Sequence, residues 1–223
     1  MVMRLLTSSV GLKVVMALSG LVMVGFLVGH MAGNLLVFLG PRALNDYAAS
    51  LHSMPLVLWG VRMGLLVALV AHVSTAIMLS RKNRHCRGDQ GYKVKASQSY
   101  SQASRNMALT GSLVLVYVIY HLAHFTWKWT GPSEIYNSSH SGVDVYGMVV
   151  ASFQNIGIAV VYILAMVLLG LHLLHGICSA WDSLGLNHPQ YTPWMRRFAQ
   201  GLSIVLVLGF SSVPLAVLMG LVG

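Results

Sequence analysis

Ten histidines stand in a chain of 223 residues that has only five acidic side chains. Six of them fall inside long apolar stretches: His30 in the first, His72 in the second, His121 and His124 in the third, and His172 and His175 in the fourth. An ionisable side chain inside a membrane is costly and usually functional. Imidazole there can hydrogen-bond across helices, relay protons or ligate a metal. A proton relay normally includes intramembrane Asp or Glu, and the apolar stretches have none at mid-depth. A closed zinc site needs three or four ligands at one level.

Their placement favours ligation in twos. His30, His72, His121 and His172 each fall in the later half of a stretch, and consecutive membrane helices run in opposite directions. His30 and His121 are therefore expected at one level and His72 and His172 at another, about 10–15 Å apart at a rise of 1.5 Å per residue. Two histidines at one level can supply both axial ligands of a haem, and two such couples hold two haems in a bundle interior. His124 and His175 each follow a candidate ligand by three residues and share roughly its helix face. Three roles stay open for them: propionate partners, hydrogen-bonding groups, or the ligands themselves. Gly25, Gly29 and Gly33 form a ridge beside His30 that suits either a flat macrocycle or close helix packing. Arg62 suits a haem propionate, a quinone oxygen, or a snorkelling position at the interface.

The elements that must position these residues follow from composition. The chain is 56% hydrophobic and 9% charged, with a mean hydropathy of +0.71, against roughly 25% charged residues in a soluble domain. That excludes both an ordinary soluble globule and a disordered chain. Five stretches can cross a hydrocarbon core of ~30 Å, which takes about 20 helical residues. They run roughly Gly11 to Leu39, Pro55 to Ser80, Arg105 to Trp129, Ala151 to Trp181 and Phe198 to Gly223. Their length predicts helices rather than barrel strands. The fold expected is all-α, one integral membrane bundle of five transmembrane helices over residues 1–223. The first stretch lacks a small-residue cleavage site and reads as a span that stays. No internal repeat stands out.

Net charge is +9, but the positives collect in one loop (Arg81, Lys82, Arg84, Arg87, Lys93, Lys95 and Arg105, against Asp89). Nucleic-acid binding is a poor fit to such clustering. Excess Lys and Arg mark the cytoplasmic side, which predicts a cytoplasmic amino terminus. The loop suits either a docking surface or a plain solvated connection. Cys86 and Cys178 form no CxxC or CxxCH motif, so covalent haem attachment has no support. Trp127, Trp129, Trp181 and Trp194 sit at span ends, where an aromatic belt is expected.

The segments Gly29-His30-Met31-Ala32-Gly33-Asn34-Leu35, His121-Leu122-Ala123-His124-Phe125 and His172-Leu173-Leu174-His175-Gly176, with the stretch Ser179 to Leu186, resemble the membrane-anchor cytochrome b subunit of succinate dehydrogenases and fumarate reductases, in its five-helix, two-haem form. The resemblance covers nearly the whole chain. It implies two haem b groups, the outer on His30 and His121 and the inner on His72 and His172, with His124 and His175 as non-ligands. It also implies a flavoprotein subunit and an iron–sulfur subunit on the cytoplasmic face of a prokaryotic cell membrane, possible association of the whole complex into a higher oligomer, and exchange of electrons with membrane quinone, menaquinone ahead of ubiquinone. Some relatives use a membrane-embedded acid near the outer haem; Asp46 is the sole carboxylate in the first outer loop. The rival expectations are the di-haem anchor of a hydrogenase or formate dehydrogenase, and a haem-free transporter.

Overall fold

The structure, a computed structural model, describes residues 8–87, 101–130 and 144–223. Most of the basic loop, together with His140, lies outside them. Among the described residues the protein is all-α, and five helices are long and apolar enough to cross a membrane.

Helix α1 (Ser9–Leu35) starts where the Ser8 hydroxyl accepts the Gly11 amide at 3.0 Å, satisfying one of the donors that a helix start leaves open. It tightens into a 3₁₀ turn, Leu36–Leu39, and ends at Gly40, whose φ of 93° favours glycine. Pro41 then opens α2 (Pro41–His52), an amphipathic helix that buries Leu44 and Ala48. Such a helix lies along the bundle end instead of crossing it. Helix α3 (Pro55–Arg87) is the second span, and α4 (Ser101–His121) the third, continued by a π-helical turn over Leu122–Thr126.

The fourth apolar stretch is not one helix. Gln154 and Asn155 break it into α5 (Val145–Phe153) and α6 (Ile156–Ser183), because the Asn155 side chain accepts the Ile158 amide at 3.2 Å and caps a new start. The span expected from Ala151 therefore begins at Ile156. The last span, α7 (Thr192–Leu218), begins before Phe198 and ends short of Gly223, Pro193 standing in its first turn, where a missing N–H costs nothing. Helix α3 likewise runs past Ser80 to Arg87.

Helices α1 and α6 are central. Helix α1 packs on α3, α6 and α7, and α6 packs on α1, α4 and α7. Small residues allow this closeness, as in membrane bundles generally. A Cβ on Gly170 of α6 would strike Val207 of α7, and one on Gly209 of α7 would strike Met31 of α1. Ala199 and Leu206 are wholly buried in the same seam. Outward positions are apolar, as lipid contact requires: Val67 and Leu208 are each 65% exposed. At the His30 end, α2 and α5 are stapled by Asn45, whose amide donates to Asp144 at 2.9 Å and accepts from the Tyr146 amide at 3.0 Å.

Candidate functional site: two histidine pairs

Four helices bring four imidazoles together in twos. His30 of α1 and His121 of α4 have ring centroids 5.9 Å apart at an interplanar angle of 78°. His72 of α3 and His172 of α6 lie 6.3 Å apart at 70°. Yet α1 and α4 do not pack side by side along their length, nor do α3 and α6; the side chains reach across the interior. All four histidines are half-buried. Among the described residues no three His, Cys, Asp or Glu side chains converge.

The separations can be tested against a ligated metal. A metal–imidazole bond of about 2 Å on each side, plus the distance from nitrogen to ring centre, separates two axial ring centroids by about 6 Å. The ring separations of both pairs agree with that distance. The glycine ridge divides: a Cβ on Gly25 or Gly29 would meet nothing within 4 Å, whereas one on Gly33 would press on Tyr47 of α2. Close packing accounts for Gly33 alone, and a flat group can approach α1 at the other two.

Each histidine of the His30–His121 couple is backed by an aromatic ring. Phe26, one turn before His30, stacks on it at 5.2 Å and 13°, and Phe210 of α7 stands 5.8 Å away. Tyr117, one turn before His121, lies 5.9 Å from that ring. The Tyr162 hydroxyl on α6 lies 3.4 Å from His121 Nδ1 and 3.0 Å from His124 Nδ1.

His124 has a different setting. It is 0% exposed, against Phe125 at 4.3 Å and Tyr120 at 5.7 Å. His121 and His124 share Tyr162 and Phe125 as neighbours, while His121 also meets His30. The π turn begins at Leu122. Such turns concentrate at functional sites. His175 is half-buried one turn beyond His172. Asp46 is on the exposed side of α2, and Arg62 is exposed with its guanidinium 5.2 Å over the Trp59 ring.

His72 and His172 rest on polar groups that sequence reasoning missed. His72 Nδ1 lies 3.1 Å from the Met16 carbonyl and 3.5 Å from Ser19 Oγ, both on α1. His172 Nδ1 lies 3.5 Å from Thr110 Oγ1 on α4. The next residue is glycine in both cases: a Cβ would stand 3.2 Å from His72 Cε1 at Gly20 and 3.1 Å from His172 Cε1 at Gly111. A signal was present. Ser19 precedes His30 by eleven residues and Thr110 precedes His121 by eleven, with Phe26 and Tyr117 at matching places between. The first and third spans thus share a repeated pattern, although the chain shows no evident repeat when read as a whole. No protein-family profile, curated protein or solved structure matches the chain.

Proposed function

We propose that the chain is the di-haem cytochrome b membrane anchor of a succinate:quinone oxidoreductase, passing electrons between an iron–sulfur subunit and membrane quinone, menaquinone ahead of ubiquinone. One observation carries the proposal: four helices present four histidines as two couples, each with the ring separation that bis-imidazole ligation of an iron requires. His30 and His121 would hold one haem b, and His72 and His172 the other. A haem iron with two imidazole ligands keeps no open position and so transfers electrons rather than binding oxygen.

The chain's own residues do the rest. Phe26, Tyr117 and Phe210 pack around the His30–His121 couple and keep water from it. Met16, Ser19 and Thr110 set the hydrogen-bonding of the His72–His172 couple. With the basic loop on the cytoplasmic side, the amino terminus is cytoplasmic and the His72–His172 couple is the one nearer the cytoplasm. Dicarboxylate chemistry would belong to a flavoprotein partner docked there through the iron–sulfur subunit.

Purification of the intact complex from its native membrane tests this. A flavoprotein and an iron–sulfur protein should co-purify, and succinate should reduce a b-type absorption band. A nickel or molybdenum subunit in their place would move the chain to another respiratory complex. The lack of any b-type band would support a haem-free transporter.

A further inference from the structure

We propose that Ser19-Gly20 and Thr110-Gly111 are matched seats that fix the orientation and tautomer of the two inner histidines. The proposal rests on the di-haem assignment above and names positioning residues, not ligands.

Hydrogen-bond accounting gives the direction. A hydroxyl has one proton to give. Ser19 donates to the Val15 carbonyl at 2.7 Å, with the Met16 carbonyl at 3.1 Å as the alternative. Thr110 donates to the Asn106 carbonyl at 3.0 Å, with Met107 at 3.3 Å. Bonding back to the preceding turn is common for these residues in apolar helices. Toward the imidazole, each oxygen can therefore only accept, and so can the Met16 carbonyl beside His72. The Met16 carbonyl requires the hydrogen on His72 Nδ1, and with the Thr110 proton given to Asn106 His172 Nδ1 donates in the same way, which leaves each Nε2 lone pair for a metal.

The glycines set the distance. At Gly20 and Gly111 a methyl group would crowd the ring edge, so each imidazole lies against bare helix backbone. Eleven residues make three helical turns and return to the same face, about 16 Å along the axis. Helices α1 and α4 therefore each carry, on one face, an outer histidine and the seat for an inner one. The same pattern occurs twice, on the first and the third span. Helix α1 seats His72 of α3 and helix α4 seats His172 of α6, so each seat comes from a different helix than the histidine it holds.

Donation from Nδ1–H to an acceptor makes an imidazole a stronger ligand and favours the oxidised metal. Removing the acceptor should raise the midpoint potential of the inner haem alone. The test is optical redox titration and electron paramagnetic resonance of the intact complex, the inner component being the one lost in His72→Ala. Thr110→Val should raise that midpoint and move its low-spin g values, with the outer component unmoved, and Thr110→Ser should restore both. Ser19→Ala should shift it the same way by less, because the Met16 carbonyl remains. If Thr110→Val fails to accumulate, Gly111→Ala should move the inner g values alone. Two haems with inner midpoint and g values unmoved in these variants, or a shift confined to the outer haem, overturns the seats and leaves the di-haem assignment standing. Wild-type complex without two b components overturns both.

Discussion

The rings of His72 and His172 stand 6.3 Å apart although their helices, α3 and α6, do not pack along their length. Helices held apart while their imidazoles meet leave room for a flat group around the contact. The same relation joins His30 and His121 at 5.9 Å. Each couple spans both halves of the chain, so neither joins two consecutive spans.

Single replacements should follow that division. His72→Ala or His172→Ala should remove one b component from the reduced-minus-oxidised spectrum, and His30→Ala or His121→Ala the other. Redox titration distinguishes the components. Emptying of the opposite couple by every single change would show that the pairing is wrong.

His124 should behave as a core residue. It is fully buried among Tyr120, Phe125 and Tyr162, and its Nδ1 is bonded to the Tyr162 hydroxyl. His124→Ala should keep both haems while costing on the order of 2–4 kcal/mol from the cavity and the lost hydrogen bond, read as a lowered unfolding temperature in detergent. His175→Ala should also keep both haems. Loss of either haem in either variant would make that histidine the ligand in its helix.

The spanning helix without histidine, α7, should act as a buttress. Gly209 of α7 lies against Met31, next to His30, and Gly170 of α6 lies against Val207. Gly209→Val should overpack the seam by about 1–3 kcal/mol and disturb the outer haem spectrum before the inner one. An unchanged unfolding temperature and spectrum would show that α7 yields freely.

The bridge across the His30 end should be modest in strength. Asn45 joins α2 to α5 by two hydrogen bonds, and Asn45→Ala should cost about 1–2 kcal/mol. Limited proteolysis should cut at Ser53-Met54, directly after α2, faster in the variant, with both haems retained. Equal cutting rates would mean that burial of Leu44 and Ala48 holds α2 by itself.

Run length and polarity made the five spans legible, because a 20-residue apolar helix leaves few alternatives. The proximity of His30 to His121 and of His72 to His172 agrees with their places within those runs. The break at Gln154-Asn155 was not, since apolar residues continue on both sides and only the side-chain cap on Ile158 reveals it. Nor was the π turn after His121, which interrupts the regular helical face count. The seats were hidden for a different reason. Ser19 and Thr110 read as ordinary small polar residues in apolar helices until the rings of His72 and His172 are seen beside them. Tyr162 was missed because it lies ten residues from His172 in sequence but against His121 in space.

Haem content per polypeptide in the purified wild-type complex tests the central assignment most directly. Pyridine haemochrome analysis against quantified chain should give two b haems for each copy, falling to one in His30→Ala and in His72→Ala. One haem, or none, in fully loaded wild-type protein would contradict it.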